Sequence, residues 1–429
     1  MEDKKYILSK NAIGIVLLWL GPPFFYFIRS QFHLGGGSVT SGIFYVLSLF
    51  LIRNPLNTQL GYKPNLHLLW FGGTYYLIGL FYFFVHNYNT ASWVTDTINI
   101  ITTLLFFILV LRVNNDVQKY LPFWIIVLTF ILNIALIYSV ITNPNYMIGQ
   151  RATVQFGDEG FTGNPGTYAR NGLFGIIISL LFLHKNEENL FKQNSFLPIC
   201  ISVLNLLLSL VTIIITQTRM ILLSLIVILT IYVIFIRNKG VVVKEKKQYT
   251  RIIIGLIIGL IIYINYQYDL FSILGYYINN YWSMFQSALE TGLSLGKNSS
   301  TAVDDSAMGR VENINKFKYI FNHEIYNLIF GKGFNYRYMD IPILEVLVNF
   351  GIVGLIFYIL FILTSLYYTL NALKSNLVFQ NFLGLTFIQV FIGMCTSGRP
   401  MDLAYCIMYI IYIRFLAVKP SSELNQSLN

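Results

Sequence analysis

LPFWIIVLTFILNIALIYSVIT, residues 121–142, runs for 22 residues without one charged side chain. A helix crosses the hydrocarbon core of a bilayer with about 20 predominantly apolar residues, so this stretch reads as a transmembrane span. Similar stretches lie on both sides of it. They fall at roughly 11–28, 38–52, 67–86, 92–111 and 168–184, then at 196–216, 220–236, 252–268, 343–370, 380–396 and 402–418. The expectation is an all-α polytopic membrane protein with about twelve transmembrane helices, residues 1–429 forming a single integral membrane domain. The second segment is short and fits either a re-entrant helix or a mismatched crossing.

The totals agree. Of the residues 55% are apolar and 11% charged, and the mean hydropathy is +0.62. Soluble chains carry about a quarter charged residues, so a water-soluble fold is excluded and membrane lipids are the first partner. The N-terminal lysines precede an apolar segment, but no small-residue cleavage site follows, and the segment reads as a retained first helix. Cys200, Cys395 and Cys406 all sit in apolar runs without CxxC or Cys/His spacing, which argues against disulfide and metal chemistry.

The net charge of +10 raises the question of nucleic acid. With the N-terminus inside and the spans alternating, most cations fall in inner loops, among them Arg112, Lys185, Lys374 and Arg414. The short outer turns keep only Arg29, Arg219 and Arg399. This is the positive-inside asymmetry, and it puts both termini in the cytoplasm of a bacterial inner membrane. The basic stretch 237–251, RNKGVVVKEKKQYTR, becomes a cytoplasmic loop facing anionic headgroups, and no nucleic-acid partner is needed. Two longer connections, 143–167 and 269–342, fall on the outer side. Long loops in compact membrane domains usually carry function.

The outer side gathers arginines. Arg151 and Arg170 flank the first loop, Arg219 lies in the turn TQTRM, Arg310 and Arg337 lie in the second loop, and Arg399 lies in TSGRPMD. Guanidinium forks bind phosphate in a bidentate way and stay charged; interfacial arginines also snorkel to phospholipid headgroups. Arg219, with long apolar runs on both sides, needs a partner or a water-filled cavity. In TGNPGTYARNG, residues 162–172, the Asn164-Pro165-Gly166 turn leads to a helix beginning at Tyr168, with Arg170 in its first turn.

In GKGFNYRYMDIPILEVLVNFGIVGL, residues 331–355, Gly331 and Gly333 permit a tight turn before a long apolar helix. Asp340 stands at the mouth of that helix and Glu345 about one turn inside it, on one face with Asn349. Either carboxylate could deprotonate a sugar hydroxyl; equally, Asp340 could cap the helix and Glu345 pair with an arginine. Gly351 and Gly354 would let a neighbouring helix approach, and Tyr336 and Tyr338 could stack on sugars of an acceptor glycan. The five histidines, His323 in the outer loop included, show no metal or triad spacing. Asp304 and Asp305 read as part of a mobile loop.

TQTRMILL, TGNPGTYAR and the 331–355 segment, in this order and on this side, resemble signatures of the bacterial O-antigen and capsule polymerases (Wzy) and the related O-antigen ligases (WaaL). The resemblance implies a GT-C-like fold and a metal-independent glycosyltransferase without cofactor. Such an enzyme joins polyprenyl-pyrophosphate-linked repeat units at the outer face, working beside a flippase and a chain-length regulator. It further implies that Arg219, and with it Arg170, holds the pyrophosphate, and that Asp340 activates the acceptor. The ligases have a histidine near that last position; Asp340 there favours the polymerase, with Glu345 close enough to compete as base. A ligase of the same architecture and a lipid-linked oligosaccharide flippase are the alternatives, although the two halves show none of the symmetry common in transporters.

Overall fold

The structure, a computed structural model, describes residues 2–32, 38–52, 64–87, 93–144, 146–156, 161–162, 164–184, 196–237, 270–293, 305–394 and 398–419, with scattered positions between 251 and 266. Helices α1 (Glu2–Leu20), α2 (Pro22–Gln31), α3 (Ser38–Leu51), α4 (Leu66–Val85), α5 (Trp93–Leu111), α6 (Leu121–Thr142) and α7 (Pro165–His184) make up the first half. They are followed by α8 (Phe196–Thr216), α9 (Arg219–Phe235), α10 (Leu270–Leu293), α11 (Asp305–His323), α12 (Ile325–Phe330), α13 (Pro342–Leu373), α14 (Val378–Gly393) and α15 (Leu403–Phe415). Among the described residues the only strands are the two-residue pair Gln155–Phe156 and Phe161–Thr162.

Six helices, α4 to α8 and α13, are long and apolar enough to cross a membrane. A seventh crossing arises if α1 and α2 count as one, but they meet at 74°, so the first span is broken where a continuous helix was expected. The cause is Pro22-Pro23, which starts a new helix and cannot continue the old one's hydrogen bonds. The segments expected at 38–52, 220–236, 380–396 and 402–418 hold apolar helices of 17 residues or fewer, and most of 252–268 lies outside the described residues.

Two of the short helices are central. Nearly every residue of α14 and every residue of α15 from Cys406 to Phe415 is buried, as expected of helices apolar on all sides. At 13 residues α15 is about 20 Å long, short of the roughly 30 Å hydrocarbon core. A short core inside a longer bundle leaves room at one end.

The connection 269–342, expected on the outer side, is helical over much of its length, as α10, α11 and α12, and then feeds α13. That helix is broken inside. Gly351 adopts φ 69°, ψ −170°, a region essentially only glycine occupies. The break strips the carbonyls of Val348 and Asn349 of their intrahelical donors, and the N–H groups of Lys332 and Gly333 donate to them instead, each at 2.9 Å. Gly331, at φ 77°, faces Gly351 directly: a Cβ on Gly351 would lie 2.4 Å from the Ile329 carbonyl oxygen, and one on Gly331 2.5 Å from that of Asn349. The close approach expected at Gly351 is thus made by the last turn of α12 and the Gly331 that follows it. The Phe334 N–H donates to the His86 carbonyl at 2.9 Å, fastening the same loop to the end of α4.

At the other end of the bundle Arg414, expected among the inner-loop cations, is entirely buried. Its Nε donates to the Val110 carbonyl at 3.0 Å, and Nη2 to the Val113 carbonyl and Asn115 Oδ1 at 2.6 Å each. Nearby, Gln118 Nε2 donates to the Val418 carbonyl at 3.1 Å. Arg414→Met leaves three buried acceptors without their donor and is expected to cost about 3 kcal/mol or more. A melting curve of the detergent-purified variant checks this; an unchanged midpoint contradicts it.

Candidate active site

A cavity of about 980 Å³ opens beside the starts of α2, α7, α9 and α15. Its wall carries Arg151, Arg170, Arg219, Arg399, Asp340 and Asp402, a surplus of two positive charges. Tyr26, Tyr45, Tyr338 and Tyr405 contribute hydroxyls, and Trp19 and Phe174 apolar surface.

Each arginine is held by a different element. Arg170 rides on α7, which packs most extensively against α8. A buried amide network among α6, α7 and α8 fixes that contact. Asn133 Nδ2 donates to Asn205 Oδ1 (3.0 Å) and Ser209 Oγ (2.8 Å), while Asn205 Nδ2 donates to Thr129 Oγ1 (2.9 Å) and Ser179 Oγ (3.1 Å). Interhelical hydrogen bonds of this kind contribute roughly 0.6 kcal/mol each in membranes; here they also set register. The helix begins at Pro165, so Arg170 lies in its second turn and not in the first as expected, and Asn164 Oδ1 accepts the Gly166 N–H at 2.8 Å.

Arg219 is the first residue of α9, after a sharp reversal in which Gln217 takes φ 49°. The reversal holds the neighbouring loop: the Ala152 N–H donates to the Ile215 carbonyl at 2.9 Å and Gln217 Nε2 to the Gly149 carbonyl at 3.1 Å. That brings Arg151 close enough to Arg219 for both charges to act on the Tyr281 hydroxyl of α10. From α10, Asn280 Nδ2 also donates to the Gly149 carbonyl, at 3.1 Å. The fourth arginine, Arg399, precedes α15 and lies over the Tyr338 ring, 4.7 Å from its centroid, while Arg170 lies 5.7 Å from that of Tyr405.

Six of the residues singled out from sequence therefore line one cavity: Arg151, Arg170, Arg219, Arg399, Tyr338 and Asp340. Others do not. Arg337 and Tyr336 are absent from the lining; the Arg337 N–H donates to Asn349 Oδ1 at 3.3 Å, and the Tyr336 hydroxyl accepts from Lys332 Nζ at 3.0 Å. In the loop before α13, Tyr338 and Asp340 line the cavity, the Met339 between them is buried, and Arg337 lies outside the lining. Glu345 is buried and accepts the Met339 N–H at 3.1 Å. With Asn349 it clamps the loop backbone, and it meets a separate small chamber of about 40 Å³ instead of the main cavity. The Arg310 side chain, Cys395 and the Asp304–Asp305 side chains lie outside the described residues. Among the described residues no group of three potential ligands could hold a metal ion.

Asp340 takes φ 58° and its Oδ2 accepts from Asn313 Nδ2 of α11 at 3.5 Å. A further hydrogen bond joins Asp340 to the Tyr338 hydroxyl; burial first, then this bond and the carboxylate charge, raise the phenol above its ordinary value. Asp402 and Tyr405 were not singled out from sequence, although Asp402 stands inside the quoted TSGRPMD. Tyr26 and Tyr45, from α2 and α3, carried no signal at all.

The loop below Asp340 has its own ion pair, Lys332 with Glu324. The hydrogen bond from Lys332, helped by Asn327, holds the Glu324 carboxyl below its usual range. Burial pulls the Lys332 ammonium down, but its bonds to Glu324 and Tyr336 outweigh this and leave it raised. A lowered carboxyl stabilises above its ordinary value of 4.5, and a raised ammonium below its ordinary value of 10.5. Amide-exchange protection of residues 331–337, corrected for intrinsic rates, is expected to be level between these limits. It should fall as pH drops through the depressed Glu324 value; unchanged protection at about pH 2 would count against the pair as an anchor.

No protein-family model matches the chain, and no curated protein is significantly similar to it.

Proposed function

We propose that the chain is a metal-independent membrane glycosyltransferase. In this reading it polymerises polyprenyl-pyrophosphate-linked oligosaccharide repeat units into O-antigen or capsule polysaccharide at the outer face of a bacterial cytoplasmic membrane. The observation that carries it is the convergence of four arginines from four elements on a single cavity of about 980 Å³. A site of this size takes a diphosphate together with sugar rings, and ligand cavities of roughly 300–1,000 Å³ are usual. The twelve-crossing, GT-C-like arrangement with both termini inside belongs to the same proposal, as do the flippase and chain-length regulator as partners.

The chemistry follows from charge. The acceptor hydroxyl attacks the anomeric carbon of the donor, and the bond to the phosphate oxygen breaks. Negative charge then grows on the leaving diphosphate, where Arg219, Arg170 and Arg151 stabilise it without reorganising. The donor carries its own activation in the pyrophosphate linkage. Two carboxylates on the wall, Asp340 and Asp402, can take the hydroxyl proton; Glu345 is occupied by the Met339 amide.

A strain lacking the chain is expected to make surface polysaccharide of single-repeat length, and the long ladder should return on complementation. A normal ladder in the deletion strain overturns the proposal. Accumulated long polymer still on its lipid carrier would indicate a ligase, and reconstituted translocation without bond formation a flippase.

A further inference from the structure

We infer that Asp402 is the catalytic base of this site, a role that rests on the glycosyltransferase reading above. Asp402 is the residue before α15 and its side chain is exposed to the cavity. It is fixed by backbone at both ends: its N–H donates to the Arg399 carbonyl at 3.0 Å, and its carbonyl accepts the Tyr405 and Cys406 N–H groups at 3.0 and 2.9 Å. Its carboxylate accepts the Leu403 N–H, and the charges of Arg399 and Arg170 act on it. Even so, among the described residues no ion pair closer than 4 Å ties it down. The carboxylate is therefore oriented toward the cations and still able to meet a hydroxyl.

Asp340 is differently placed. Its carboxylate already bonds two side chains, Tyr338 and Asn313, whereas the Asp402 carboxylate is held by a backbone N–H beside two guanidinium charges. Asp402 also forms part of the partition between the main cavity and the chamber of about 40 Å³ behind it. That chamber is polar, lined by Asp96, Asn99, Thr103, Asn335 and Glu345, and it is wide enough for water. A base beside the reaction must pass its proton on, and Asp402 shares this chamber with the carboxylates Asp96 and Glu345, whereas Asp340 does not line it.

The step balances as follows. The acceptor O–H bond breaks and its proton goes to the Asp402 carboxylate. The oxygen forms the new bond to the anomeric carbon, and the old carbon–oxygen bond leaves its electron pair on the lipid diphosphate. Asp402 then releases the proton to water entering the cavity as product leaves, before the next unit binds.

The test uses full-length protein in nanodiscs, with lipid-linked repeat units extracted from the deletion strain as substrate. Asp402→Asn is expected to lower kcat by about 10²–10⁴-fold with KM within threefold. Asp402→Glu should keep at least a tenth of turnover, and added formate should raise the rate of Asp402→Ala at least tenfold. Asp402→Asn turnover above a tenth of wild type, a loss confined to KM, or no formate rescue overturns the assignment. Binding of sugar-free undecaprenyl diphosphate at wild-type affinity certifies that each variant is folded. If the wild type itself makes no polymer from these units, the glycosyltransferase reading has failed, a result distinct from wild-type activity that is indifferent to Asp402.

Discussion

Arg219→Ala is expected to reduce the polysaccharide ladder to single-repeat product, with polymerisation slowed about 10²–10³-fold. The magnitude follows from removing one preplaced donor from a site where charge develops in the transition state. Arg219 starts a helix, faces the cavity and is buttressed by the turn that Gln217 and Ala152 hold. The loss should therefore come from the charge and not from collapse of the fold. Arg219→Lys keeps a cation but loses the planar fork, and about a tenfold deficit is expected. Arg337→Ala, outside the cavity, should leave the ladder within about twofold of wild type by comparison with ordinary surface substitutions. Ladders from the complemented deletion strain, with each variant's abundance checked by immunoblot, measure all three. A full ladder from well-expressed Arg219→Ala would remove this arginine from the reaction.

The second large effect is structural. Gly351→Val puts a β-branched residue where φ is 69° and drives a Cβ to within 2.4 Å of the Ile329 carbonyl oxygen and 2.6 Å of the Gly331 nitrogen. Both contacts are backbone, so no side chain can yield. A loss of about 3 kcal/mol or more is expected from the conformation and the clash together. The loop that carries Tyr338 and Asp340 should detach with it, because Lys332 and Gly333 donate to the carbonyls that the break exposes. The measurement is the melting midpoint in detergent alongside proteolysis at residues 331–340; a wild-type midpoint with an intact loop would contradict the account. Gly73→Ala in α4 offers a control, since the nearest atom to a Cβ there is Leu69 Cδ1 at 3.9 Å.

The membrane character of the chain and most of its long spans could be read directly, because an uncharged stretch such as 121–142 has few alternatives to a helix in lipid. The arginines were legible for the same reason: Arg170, Arg219 and Arg399 stand out where charge is costly. What sequence could not supply was pairing between distant backbones. Gly351 reads as a small residue on a helix face until Gly331, twenty positions earlier, is seen to fill the gap. Arg337 and Tyr338 are neighbours of similar appeal, and only the course of the loop before α13 decides which one meets the cavity. Asp402 looked like an ordinary residue at a helix start. Its importance comes from α7 and α13, which bring Arg170 and Glu345 within electrostatic reach of it.

Arg414 joins α15 to carbonyls at the end of α5, about three hundred positions earlier in the chain. Because α15 is also the helix that delivers Asp402 and Tyr405 to the cavity wall, the site has no complete perimeter until this late segment has been inserted. The earlier helices leave a slot that α15 fills, and a chain truncated before α15 would lack both the lock and this part of the wall. The cavity wall and the Arg414 lock thus depend on the same helix, so the two form or fail together.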